Sequence, residues 1–112
     1  MRYSQLSGYR IMWIWALFDL PVGSKEERSR ATKFRNSLLD LGFEMVQFSV
    51  YSRYTVSKEK ADSISRSIEA IVPDHGKVDL LYFTDKQYEL ITSFRGEYSE
   101  NLLEKPTQFA LF

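Results

Sequence analysis

Asp19 is the carboxylate best placed to do chemistry. It follows the apolar run Ile11-Met12-Trp13-Ile14-Trp15-Ala16-Leu17-Phe18 and precedes Leu20-Pro21, so it sits at the carboxyl end of a strand, where a ligand can reach it. A structural role competes, because Asp before Leu-Pro can cap a turn. One carboxylate holds a hard cation poorly, since magnesium takes about six oxygens and rests on one or two carboxylates plus water and phosphate. Twofold symmetry changes that count. Two copies of Asp19 meeting across an axis would share one Mg²⁺ and activate water against a phosphodiester. Lys25, Arg28, Arg30, Lys33 and Arg35 follow as a cationic arc, which suits either a phosphate contact or an ordinary solvated helix face.

Other chemistries fall away on composition. There is no cysteine, which removes disulfides, thiolate zinc sites and thiol nucleophiles and favours a reducing cytoplasm. His75 is the only imidazole; a Ser-His-Asp triad would need it inside the turn-like Pro73-Asp74-His75-Gly76. Gly76-Lys77 is followed by Val78, whereas a phosphate loop requires Ser or Thr there. Fifteen basic residues cancel fifteen acidic ones, so contact with nucleic acid must come from local segregation of charge.

These residues need a frame. At 112 residues, with 44% hydrophobic and 15% aromatic residues, the chain reads as one globular domain over 1–112. Residues 1–10 read as a leader. The eight-residue apolar run is far short of the roughly 20 that cross a bilayer, and its two Trp residues and Asp19 break any likeness to a signal peptide. Apolar on both parities, it suits a strand at the sheet centre, covered on both faces.

Ser24-Lys25-Glu26-Glu27 is a capping-box pattern. The helix it starts carries Ala31, Phe34, Leu38 and Leu41 at 3-4-3 spacing and ends at Gly42. From Phe43 to Tyr54 residues alternate, with Val46, Phe48 and Val50 on one face and Gln47, Ser49, Tyr51 and Arg53 on a polar one. Ser57 opens a second helix bearing Ala61, Ile64, Ile68 and Ile71, stopped by Pro73. Val78 to Thr84 is a third apolar run, and 86–94 fits a short strand or a helical turn equally well.

This order indicates an α+β fold, a ferredoxin-like βαββαβ sandwich with helices on one face of an antiparallel sheet. One difficulty stands out: the pattern needs two strands between the helices, yet nothing from Phe43 to Tyr54 looks like a turn, so one long strand, bent or broken near Phe48 and Ser49, is expected. The apolar end 107–112, with Phe109, Leu111 and Phe112, is expected to dock as an additional C-terminal strand on a sheet edge of its own or a partner's.

The stretches Ile14-Trp15-Ala16-Leu17-Phe18-Asp19-Leu20-Pro21, Lys33-Phe34-Arg35, Gly42-Phe43, Gln47-Phe48-Ser49-Val50-Tyr51-Ser52-Arg53 and Thr84-Asp85-Lys86-Gln87, in that order, resemble the CRISPR-associated protein two family. The tail resembles members that accompany single-protein RNA-guided effectors. The resemblance implies a ferredoxin-like homodimer that partners the CRISPR integrase subunit in spacer acquisition. It implies Asp19 as the Mg²⁺ ligand of an endonuclease acting on RNA or DNA, and places Ser49 and Arg53 near the dimer interface or the site. Two roles follow: a nuclease in which Arg28, Lys33, Arg35 or Arg53 neutralises the phosphate, or a DNA-tracking scaffold that reads no bases. The scaffold is favoured as the biological role. A small-ligand regulatory domain on the same fold is the alternative.

Overall fold

The computed structural model describes residues 12–96. In chain order the elements are β1 (Met12–Asp19), α1 (Lys25–Asp40), β2 (Glu44–Gln47), β3 (Val50–Thr55), α2 (Lys58–Glu69), β4 (Lys77–Thr84) and the short α3 (Asp85–Tyr88). The strands form one sheet in the order β2-β3-β1-β4, antiparallel throughout. This is the ferredoxin-like βαββαβ arrangement, with β1 flanked on both sides. The leader and the end with Phe109, Leu111 and Phe112 lie outside the described residues.

Both long helices start on serine. The Ser24 hydroxyl accepts from the Glu27 amide at 3.0 Å, and the Glu27 carboxylate accepts from the Ser24 amide at 2.9 Å, which satisfies two of the otherwise unpaired donors at that helix end. Ser57 does the same for the Lys60 amide at 3.0 Å. Phe34 and Leu38 of α1 and Ala61, Ile64 and Ile68 of α2 bury against Met12, Ile14, Ala16 and Phe18 of β1. All the buried β1 residues share one parity, so both helices cover the same sheet face.

The segment between the helices departs from expectation. Phe48 and Ser49 make a tight turn between β2 and β3; the break is placed correctly, but the chain reverses there, making two strands where one was expected. Ser49 takes the left-handed conformation, φ 67°, which is unusual outside Gly, Asn and Asp. The β2–β3 register also shifts between Met45 and Gln47. A single alternation therefore cannot run through 43–54. Tyr51, expected on the polar face, is buried at 4% exposure and packs 5.4 Å from the Phe18 ring. Val46 and Phe48 are instead exposed.

Candidate active site at the end of the central strand

In an antiparallel sheet, paired residues point to the same side. The partners of β1 sort the sheet into two faces: Ile14, Arg53 and Tyr82 turn towards the helices, and Trp15, Ser52 and Leu81 turn away. The face away from the helices carries Trp13, Trp15, Leu17 and Asp19 along β1. Among the described residues only the short α3 packs on it, at the Trp13 end, so the Leu17–Asp19 end of β1 is packed on one face rather than the two expected.

That open face has two unlike ends. At one, the Trp13 ring stacks on Tyr88 of α3 at 3.8 Å and 9°, while its indole N–H donates to Asp85 at 3.2 Å. Tyr54 leans on the same indole at 5.4 Å. Thr84 and Gln87 form a second capping box, at 2.9 and 3.0 Å, which fixes α3 where it supports the stack. At the other end are Leu17, then Asp19, the exposed last residue of β1, paired across the sheet with Lys77. Lys77 Nζ lies 3.5 Å from the Asp79 carboxylate. The Asp19 carboxylate makes no hydrogen bond or ion pair with a described residue. Its strand end is held by backbone: the Phe18 amide donates to the Ser49 carbonyl at 3.1 Å. Ser49 is thus the turn residue that steadies the position beside Asp19.

None of the described basic residues forms an ion pair with Asp19. Arg28 donates to the carbonyls of Val22 and Gly23 at 3.2 and 3.4 Å, clipping the loop before α1. Arg35 donates to Thr32 at 3.0 Å and lies 5.6 Å over the Phe48 ring, holding the hairpin tip to α1. Arg53 lies on the helix side and donates to the Leu41 and Tyr54 carbonyls. Lys33 is exposed and, with Arg30, lines a cleft of about 310 Å³ between α1 and Ile71–Pro73. A larger groove of about 620 Å³ runs along β3 beside Arg53 and Tyr54, away from Asp19.

Arg53 acts as a cap from outside the helix. A Cβ at Gly42, whose φ is +89°, would meet its guanidinium at 2.9 Å, so glycine is required there both for the turn and for this approach. Arg53→Ala is expected to cost about 1–2 kcal/mol of stability by orphaning the Leu41 carbonyl, and urea unfolding measures it.

Among the described residues no group of three or more His, Cys, Asp and Glu is placed to hold a metal. An exposed, unpartnered carboxylate fits a cation that keeps most of its water and takes further oxygens from phosphate or a second carboxylate; it does not fit a cation enclosed by one chain. No helix among the described residues is long and apolar enough to cross a membrane.

Fold and site together define a ferredoxin-like domain with a largely apolar sheet face opposite its long helices and an exposed carboxylate at the exit of its inner strand. The family model described as CRISPR associated protein Cas2 matches residues 12–91. A protein named CRISPR-associated endoribonuclease Cas2 from Paracidovorax avenae is 50% identical over 107 residues, covering 96% of this chain and 99% of that one. A protein of the same name from Flavobacterium psychrophilum is 41% identical, covering 95% and 91%. A solved structure described as the crystal structure of cas2 superposes with a TM-score of 0.55 at 20% identity, over 80% of this chain and 93% of that one, a likeness of fold. The chain belongs to the Cas2 family of CRISPR-associated proteins.

Proposed function

We propose that this chain is the homodimeric scaffold of a CRISPR spacer-integration complex, joined to the CRISPR integrase subunit and bound to DNA, with Mg²⁺-dependent endonuclease activity at Asp19. The observation that carries the reading is the open sheet face: aromatic and aliphatic over most of β1, with Leu17 and Leu81 more than a third exposed, and ending in an unpartnered carboxylate. A second copy laid on that face would remove the apolar surface from water and bring two Asp19 residues towards a common axis. The relatives' name, endoribonuclease, favours single-stranded RNA as a substrate beside DNA. Phe109, Leu111 and Phe112 would add a strand to the partner copy or to the integrase. The protein would act in the cytoplasm, with no membrane association.

Asp19 from each protomer would hold Mg²⁺, which when bound supplies an acidified water and neutralises phosphate charge. The chain's own part is to keep that carboxylate at a rigid strand end, anchored through the Phe18 amide. Backbone tracking falls to Lys33 and Arg30, whose side chains remain available for phosphate while Arg28, Arg35 and Arg53 hold backbone carbonyls or the hairpin tip. Spacer acquisition in cells tests the division of labour: Lys33→Glu with Arg30→Glu is expected to lower it about tenfold or more through lost phosphate contacts, and Asp19→Ala to leave it near wild type. Loss confined to Asp19→Ala would make the nuclease, and not the scaffold, the working activity.

A further inference from the structure

The cross-strand partner of Asp19 is a lysine. Among the described strand positions of the open face, Lys77 is the one cation; the others there are uncharged or acidic. Asp19 and Lys77 are directly paired residues, which sets their Cβ atoms about 4.5–5.5 Å apart on the same side of the sheet. Lys77 does not neutralise Asp19. Its ammonium is drawn along its own strand to Asp79 at 3.5 Å, with the two side chains 75% and 57% exposed, a solvated pairing that is easily given up.

We infer that Lys77 is a phosphate-binding residue of the Asp19 site, held by Asp79 until a phosphodiester arrives. The inference rests on the nuclease reading of Asp19 and deepens it. A phosphodiester approaching Asp19 meets a like charge, and a cation within one side chain's reach offsets that repulsion beside whatever a divalent ion supplies. Lysine suits the task, because a flexible stem lets a compact charge swing from a carboxylate on its own strand to an anion on the next. Asp79 thereby competes with the substrate for Lys77, so removing either residue should shift substrate binding in opposite directions.

The test uses the full chain with Mg²⁺ and a fluorescein-labelled single-stranded RNA oligonucleotide. Lys77→Ala is expected to raise KM about five- to tenfold with kcat changed less than twofold, as for loss of a charged contact made equally in ground and transition states. Lys77→Arg should restore most of the loss, and Asp79→Asn should lower KM. Binding by fluorescence anisotropy in the Asp19→Ala background gives a readout independent of cleavage: adding Lys77→Ala should weaken Kd and reduce the slope of log affinity against log salt by about 0.7, the value for one phosphate of a single strand. Wild-type KM and Kd with Lys77→Ala, or equal losses from Lys77→Ala and Asp79→Asn, overturn the inference. Cleavage at wild-type rate in Asp19→Ala overturns the nuclease reading instead, and the anisotropy series then decides whether Lys77 binds phosphate.

Discussion

Asp19→Ala should abolish Mg²⁺-dependent cleavage of single-stranded RNA, by about a hundredfold or more, while the unfolding midpoint and oligomeric state stay those of the native protein. The size follows from what one carboxylate supplies. A bound divalent ion lowers the barrier by several kcal/mol, and each 1.36 kcal/mol is about tenfold in rate, so if Asp19 anchors the ion as proposed, its loss removes two or more decades. The fold is spared because Asp19 is exposed at a strand end and its side chain holds no described partner; alanine keeps the backbone pairing with Lys77. Asp19→Asn separates charge from shape: it keeps the size and one oxygen, and should lose nearly as much. A metal titration against cleavage rate completes the measurement. Unchanged cleavage in both variants would refute Asp19 as the reactive group.

If the proposed homodimer forms through the open face, Leu81→Glu should leave the chain monomeric without unfolding it. Leu81 pairs with Trp15 across the open face and is 38% exposed, so in one chain a glutamate there still reaches water. A second copy on that face would bury the charge twice, once per protomer. An unpaired buried ion costs several kcal/mol even after relaxation, which places the rise in dimer Kd at about a hundredfold or more. Sedimentation velocity at micromolar concentration reads it directly, and circular dichroism confirms the fold. A variant that stays dimeric would move the interface off this face.

The helices were legible because their signals are local. Ser24 with Glu27, and the 3-4-3 stripes ending in Leu38 and Ile68, lie within one or two turns of sequence and need no distant partner. The hairpin was harder to read. No glycine or asparagine marks Phe48-Ser49, and a serine with positive φ leaves no compositional trace, so the face of Tyr51 and Arg53 came out reversed. Thr84-x-x-Gln87 did carry the signature for α3, which bulk hydropathy left ambiguous. The strand-end carboxylate was found from its place after an apolar run, but its neighbour Lys77 depends on the β1–β4 register, which brings Asp19 to a residue 58 positions away and leaves no local pattern. The basic residues mark another limit: sequence shows their charge, but not that Arg28 and Arg53 donate to backbone carbonyls.

Both tryptophans of the chain, Trp13 and Trp15, lie on the sheet side opposite the two long helices, half-buried beside α3. The molecule therefore carries its own optical gauge there: the colour and quenching of indole emission follow whatever settles on that side, whereas substitutions beneath the helices leave this light largely unchanged. A binding partner can be followed without attaching a dye.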